Sequence, residues 1–127
     1  MTLGEFVKQF AALMQQKSIS MPLKNERPWH ALFYRLKTSR EPGRPLFLDR
    51  LRFDWDGPHP KCRELSEFLK ALHWNASATA TNPHYDTITL TEDVARLWST
   101  RLDGAAPDTR GFMERAAEQA RQEFART

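Results

Sequence analysis

The chain has 127 residues, of which 40% are hydrophobic, and a formal net charge of +3. This length and hydrophobic content are enough for one domain that buries a core without metals or disulfides. No run of residues approaches the ~20 apolar residues that span a bilayer, and the amino terminus lacks a signal-peptide pattern, so we expect a cytoplasmic protein without membrane contact. The lone cysteine, Cys62, leaves no internal disulfide and agrees with a reducing compartment.

The charge is unevenly distributed along the chain. Residues 17–52 hold nine basic residues against three acids, a local charge of +6. Such asymmetry can mark a surface for phosphates or for an acidic partner. It is also typical of an ordinary arginine-rich surface, because basic residues in loops need not converge in space. Both interpretations stay open.

Two helices are predicted in the first third of the chain. The first begins with a capping box, Thr2 with Glu5 three residues on, and runs to about Lys17. Residues 18–27 lose helical periodicity and are predicted to form a loop. Pro28 suits the first turn of the second helix, which ends before a turn cluster with two prolines. Both helices carry an apolar stripe at three- and four-residue spacing.

The middle of the chain predicts a short helical turn and then a strand. Residues 51–55 alternate apolar and charged side chains, as a half-buried strand does. We expect Phe53 and Trp55 to be buried, in which case Trp55→Ala would cost about 3–5 kcal/mol. Residues 57–60, Gly-Pro-His-Pro, stop the strand because each proline biases its predecessor away from the helical conformation. These residues also set the orientation of the next predicted helix, Lys61–Trp74.

A β-hairpin is predicted after that helix, over residues 75–91, because small residues alternate with serine and threonine around a turn. Its tip falls at Asn82–Asp86. Thr91 can cap a short helix that ends at about Arg101. Three apolar side chains of that helix are expected to point inward: Val94, Leu97 and Trp98.

A linker is predicted at residues 103–107, followed by a last helix with few large apolar side chains. Its apolar side holds Phe112, Met113, Ala116, Ala120 and Phe124. Three alternatives stay open for this helix: it packs on the domain, it forms a homodimer, or it is a partly frayed tail.

The order of elements predicts a mainly helical α+β fold. Three helices followed directly by a β-hairpin resemble the winged-helix arrangement, in which the hairpin forms the wing. In that arrangement Lys61–Trp74 takes the place of the recognition helix and Asn82–Asp86 is the wing tip. We therefore predict a winged-helix-like domain over residues 1–101, with a linker and a C-terminal helix over residues 102–127.

A second resemblance covers residues 43–98. The segment Gly43-Arg44-Pro45-Leu46, the alternation that ends in Gly57-Pro58, and the helix that bears Leu65 and Leu69 are similar to the Panacea-type antitoxin domains of phage-associated loci. This resemblance implies a module that binds another macromolecule rather than one that performs chemistry.

The predicted function is a non-enzymatic macromolecule-binding module, regulatory or antitoxin-like, with a protein partner. The alternative is a winged-helix protein that binds double-stranded DNA. The candidate contact residues lie on the recognition-type helix, the wing tip and the basic segment: Lys61, Arg63, Lys70, His84, Tyr85, Arg35, Lys37 and Arg40. Basic donors near a helix start suit DNA, but Glu64 and Glu67 share the exposed face and weaken the attraction for phosphates.

Aromatic side chains give two further hypotheses. Trp29 and Tyr34 could stack on a single nucleic-acid strand, although Trp29 lies on an apolar stripe that favours burial. Tyr34, Trp74, Tyr85 and Trp98 either form a partner-binding patch or complete the core.

Metal and enzyme hypotheses are weaker. Asp54, Asp56, His59 and Cys62 lie close in sequence but match no common zinc or calcium pattern. Cys62 at a helix start could have a lowered pKa, with His59 or His73 as a base, but no orienting third group follows from the sequence. We predict no cofactor, no metal and no catalytic residue.

Overall fold

The computed structural model describes residues 1–22, 25–74, 78–80 and 87–125. Its α-helices are α1 (Leu3–Gln16), α2 (Arg27–Thr38), α3 (Arg63–Trp74), α4 (Glu92–Asp103) and α5 (Pro107–Ala125). Its strands are β1 (Met21–Pro22), β2 (Asp54–Asp56), β3 (His59–Lys61), β4 (Ala78–Ala80) and β5 (Thr87–Leu90). A 3₁₀ helix covers Leu46–Arg50, where a short helical turn was predicted. The fold is therefore mainly helical α+β, as predicted.

The capping box predicted for α1 is present. The Glu5 backbone N–H donates to the Thr2 hydroxyl over 3.1 Å, and the Thr2 N–H donates to the Glu5 carboxylate over 3.3 Å. These two bonds satisfy amide donors that the first turn of a helix leaves without a partner. The apolar stripe of α1, including Phe6 and Phe10, is buried.

The prediction of a loop over residues 18–27 is wrong at β1. Met21 lies opposite Ile88, so β1 pairs antiparallel with β5 and completes a sheet of order β1-β5-β4. The indole N–H of Trp29 donates to the Pro22 carbonyl over 2.8 Å and ties this strand to α2. A two-residue strand has no alternation of its own, so only its distant partner reveals it.

The predicted hairpin after α3 is present in its described part. β4 pairs antiparallel with β5, and Thr79 lies opposite Thr89. The predicted wing tip, Asn82–Asp86, lies outside the described residues.

The stop predicted at residues 57–60 is a turn followed by a strand that was not predicted. β2 and β3 form a two-stranded hairpin in which Trp55 lies opposite Pro60. Gly57 has a φ of 61° at the first central position of the two-residue turn, which is where a type II′ turn takes glycine. Pro60 is tolerated because a two-stranded sheet has only edge strands. As a result α3 begins at Arg63 rather than at Lys61.

Two apolar side chains expected inside are on the surface. Trp55 is 55% exposed and Leu97 is 51% exposed. The Trp55 ring lies against Tyr34 of α2 on the surface, because alternation along β2 predicts which side chains share a face but not what covers that face. In α4, Trp98 is buried as predicted, and Leu102 one turn later is buried as well.

The core is built on aromatic contacts of Phe6. Its ring lies 5.8 Å from that of Phe33 in α2, 5.4 Å from that of Phe47 in the 3₁₀ helix, and 6.3 Å from that of Phe112 in α5. Aromatic pairs at these distances add specific attraction to the burial of apolar area. One side chain of α1 therefore fixes three other segments.

The last helix, α5, packs on the rest of the chain, which is the first of its three predicted alternatives. All five side chains of its predicted apolar side are buried. Phe124 lies 4.9 Å from Trp29 of α2, ring centre to ring centre. α5 thus shares one core with residues 1–101, and only its polar side is open for contact between copies. Within the described residues every helix is too short or too polar to cross a bilayer.

Gly43 tests the contact between the turn after α2 and the start of α5. Its φ is +80°, and a Cβ there would lie 1.9 Å from the Asp108 carbonyl oxygen. Gly43→Ala should therefore lower the free energy of unfolding by about 3 kcal/mol or more, from backbone strain and displacement of α5. Urea denaturation measures this loss.

The matched control is Gly57→Ala. Gly57 has a similar φ of +61°, but no atom lies within 4 Å of a Cβ there. Gly57→Ala should therefore lower the free energy of unfolding only by the cost of a left-handed conformation at alanine, about 1–2 kcal/mol. Equal losses for the two variants would contradict the proposed role of the Asp108 contact.

Candidate functional site

A cleft of about 310 Å³ lies between the start of α2, strand β3 and helix α3. Its lining residues, which we call the basic cleft, are Glu26, Arg27, His30, His59, Pro60, Lys61, Ser66 and Lys70. The sequence separates these residues by up to 44 positions, and the β2–β3 hairpin brings them together.

Three elements position the cleft side chains. Arg27 and His30 are one helical turn apart at the start of α2, so they share a face. Ser66 and Lys70 are likewise one turn apart on α3. β3 lies against α2 and supplies the third wall.

His30 is the buried group at this junction, with 4% of its surface exposed. Its Nδ1 accepts a hydrogen bond from the Cys62 backbone N–H over 2.9 Å. Because Nδ1 is an acceptor, the proton of the neutral ring lies on Nε2, which is 3.3 Å from the Glu26 carboxylate. Both ring nitrogens are therefore occupied by structural partners, and one of them holds the residue that precedes α3.

Burial lowers the pKa of His30 below its ordinary value of 6.5, and the positive charge of Lys61 acts in the same direction. The Glu26 carboxylate opposes this shift through its hydrogen bond and its charge, but burial is the larger effect. His30 is thus held in the neutral form that the Cys62 hydrogen bond requires.

Cys62 does not have the properties of a nucleophile. Burial raises the pKa of its thiol to about 11, and its Sγ lies 3.2 Å from a Glu64 carboxylate oxygen as a hydrogen-bond donor. The expectation of a lowered pKa at this helix start is therefore wrong. A protonated, buried thiol reacts poorly at neutral pH.

Three cations of the basic cleft have no carboxylate partner among the residues that the structure describes. Arg27, Lys61 and Lys70 are exposed and form no ion pair with any residue in the described ranges. Many other cations of the chain are paired; Arg35 and Arg63, for example, lie 3.0 Å from Glu123 and Glu67, respectively.

Acidic side chains confine the positive charge. Glu26 lines the cleft but is engaged by His30. Asp54 is the cross-strand partner of Lys61, and Glu64 and Glu67 are exposed on the first turns of α3. The positive region is therefore a small site and not a continuous stripe along α3.

An aromatic cluster lies beside the cleft. The Tyr34 ring contacts those of Phe53 and Trp55 edge to face, with centres 5.4 and 5.1 Å apart. The sequence left open whether Tyr34 and Trp98 contact a partner or complete the core. In the structure Tyr34 is half-buried and Trp98 is buried. Trp29 is buried as well, which places it in the core.

The structure brings two of the eight predicted contact residues into the cleft, Lys61 and Lys70. Arg35 and Lys37 have structural contacts instead: Arg35 pairs with buried Glu123, and Lys37 donates to the Leu51 carbonyl. Arg40 is exposed in the turn after α2.

Arg63 is exposed on α3 and paired with Glu67. His84 and Tyr85 lie outside the described residues.

Sequence reasoning missed His30 and Glu26. The only local sign of them is a Glu and a His four residues apart at a helix start, a spacing that puts the two side chains in contact. The bond from Cys62 to His30 spans 32 residues and has no sequence pattern.

The residues considered for a metal site lie on the β2–β3 hairpin and just before α3, with Asp54 opposite Lys61 and Asp56 opposite His59. Asp54 and His59 lie on β2 and β3, and Cys62 is buried. Among the side chains that the structure describes, no group of three or more His, Cys, Asp or Glu is placed to hold a metal ion.

Comparison with known proteins gave no relative. No protein-family model matches the chain, and neither a curated protein nor a solved structure matches it.

The burial of His30 predicts a pH-dependent stability. The His30 pKa is lowered in the folded protein, so the unfolded chain binds the proton more readily, and the stabilisation is fully present above pH 6.5. It should decrease as pH falls from 6.5 through the folded pKa. Urea denaturation between pH 7.5 and 5 measures the slope.

Two substitutions identify His30 as the group responsible. His30→Asn keeps an acceptor near Nδ1 but does not titrate, so it should flatten the slope, whereas His59→Asn at an exposed site should leave it unchanged. His30→Ala leaves the Cys62 N–H without its acceptor and should lower the free energy of unfolding by about 1–3 kcal/mol. An unaltered slope in His30→Asn would contradict this role.

Proposed function

We propose that the protein is a non-enzymatic macromolecule-binding module, regulatory or antitoxin-like, whose basic cleft receives a negatively charged group of its partner. The observation that carries this proposal is the convergence of Arg27, Lys61 and Lys70 on one cleft without a carboxylate partner in the described part of the chain. Holding like charges together costs free energy, and an anionic group of a partner offsets that cost.

His30 and Cys62, the two buried groups beside the cleft, are poorly suited to catalysis. General acid–base work needs a group with a free lone pair or proton within reach of a substrate. His30 uses both nitrogens in structural contacts, and the raised pKa of Cys62 keeps its thiol protonated. Neither group is available as a base or nucleophile at neutral pH.

The topology supports a winged-helix arrangement. α3 is followed by the β4–β5 hairpin, and β1 joins that hairpin to the segment between α1 and α2. In this arrangement α3 is the recognition-type helix, and the basic cleft lies along its start. Fold alone does not decide between a protein and DNA as the partner.

A protein partner agrees better with the charges than DNA does. A DNA-binding surface neutralises several phosphates in succession, whereas here Asp54, Glu64 and Glu67 interrupt the positive region. The observation that favours DNA as the second candidate is the position of Lys61 before α3 and of Lys70 two turns along it.

A titration with labelled oligo-glutamate tests the cleft. Amide NMR spectra should show shifts concentrated at residues 26–30, 59–61 and 66–70. Lys61→Gln with Lys70→Gln should weaken binding by about tenfold, because each removes a charge that faces the ligand. The matched control, Arg96→Gln with Arg101→Gln on α4, removes the same charge elsewhere and should leave the affinity within about twofold.

One result would overturn the proposal, and another would replace the protein partner by DNA. One is equal weakening by the two charge-matched pairs of substitutions, which would mean that only net charge matters. The other is tighter binding of a labelled random duplex than of oligo-glutamate at about 50 mM salt, with a loss of orders of magnitude at about 200 mM. That second result would favour the DNA alternative.

A further inference from the structure

The exposed tryptophan of the β2–β3 hairpin is held in a fixed place by other aromatic rings. Trp55 is 55% exposed, yet its ring makes an edge-to-face contact with that of Tyr34 at 5.1 Å. Tyr34 is itself supported by Phe53, over which the Lys37 ammonium lies at 5.9 Å from the ring centre. We call Tyr34, Phe53 and Trp55 the aromatic patch.

The aromatic patch is built on the same two elements as the basic cleft. Trp55 is the cross-strand partner of Pro60, which lines the cleft, and cross-strand partners lie about 5 Å apart on one face of a hairpin. Tyr34 follows His30 by one helical turn on α2. The two features therefore share the same two elements, α2 and the hairpin.

Rigid exposed aromatic rings beside a cationic site have the composition of a protein interface. Trp and Tyr dominate binding energy at such interfaces because they bury a large area and lose little conformational freedom. The fold gains little from a tryptophan that stays more than half exposed, whereas a partner that covers it would gain that apolar area.

Size and charge indicate a peptide rather than a polynucleotide. A volume of about 310 Å³ is at the lower end of small-molecule sites and suits one or two side chains. Asp54 on β2 and the exposed glutamates of α3 border the site, and they would repel successive phosphates of a nucleic-acid strand. A single carboxylate in the cleft avoids them.

We infer that the basic cleft and the aromatic patch together bind a short acidic segment of a partner protein, with a carboxylate side chain in the cleft and a neighbouring apolar side chain on Trp55. This inference rests on the proposed function, because it assigns the anion of the cleft to a peptide and adds a second contact beside it. Arg27, Lys61 and Lys70 face the carboxylate, and Trp55 faces the apolar residue.

Three fluorescein-labelled probes of equal net charge test the inference: two peptides of the same length, one of alternating Glu and Leu and one of alternating Glu and Ser, and a shorter oligo-deoxythymidine. Anisotropy titration should give an affinity about tenfold higher for the Glu/Leu peptide than for the Glu/Ser peptide. Trp55→Ala should abolish that difference and leave the Glu/Ser affinity unchanged. Lys61→Gln should weaken the binding of both peptides.

Leu97→Ala is the matched control, because Leu97 is a large apolar side chain of similar exposure on α4. It should leave the preference for the Glu/Leu peptide intact. Trp55→Phe keeps an aromatic face and should retain part of the preference. Urea denaturation of each variant separates loss of binding from loss of folding, and a half-exposed side chain predicts a folded Trp55→Ala protein.

The outcomes separate this inference from the proposed function. Equal affinity for the two peptides, or an unchanged preference in Trp55→Ala, would overturn the role of the aromatic patch while leaving the cleft intact. If neither peptide binds up to about 1 mM, both proposals fail. If oligo-deoxythymidine binds more tightly than both peptides, the partner is a nucleic acid and this inference is wrong.

Discussion

The aromatic contacts of Phe6 are the constraint on which the rest of the structure depends. One ring of α1 touches α2, the 3₁₀ helix and α5, so these segments cannot shift independently in a close-packed interior. α2 consequently has one face fixed in the core, where Trp29 also meets Phe124 of α5. Its other face is left for the β2–β3 hairpin. Every residue of the basic cleft is placed either by that second face or by the elements that pack on it.

The second face of α2 holds the hairpin and α3 by polar as well as aromatic contacts. His30 accepts the backbone N–H of Cys62, and Tyr34 packs against Phe53 and Trp55. A buried hydrogen bond of this kind adds modest net stability, but its loss leaves an unsatisfied donor, so it fixes the start of α3 more than it strengthens the fold. The cleft is therefore fixed by contacts within the chain, and such preorganisation would lower the entropic cost of binding the proposed partner.

Local rules predict the helices of this chain and fail for its long-range contacts. The capping box of α1 and the apolar sides of α1, α2 and α5 follow from spacing within a few residues. Strand β1 exists only because residues far along the chain reach it, and β3 contains a proline that argues against a strand unless the strand is known to lie at the edge of its sheet. The exposure of Trp55 has the same origin, because alternation predicts which side chains share a face but not what covers that face. For the candidate site, Lys61 and Lys70 were predicted from their place at a helix, whereas His30 needs the fold to acquire a role.

The charge of a sequence segment does not carry over directly to the surface of the fold. Part of the excess positive charge over residues 17–52 belongs to side chains that have partners within the chain. Arg35 pairs with buried Glu123, and Lys37 donates to a carbonyl of the segment before β2. The cations left at the cleft come from both sides of that segment's end, Arg27 from within it and Lys61 and Lys70 from beyond it. Net charge along a sequence is thus a poor measure of the field at a site, since burial and pairing decide which charges remain to attract a partner.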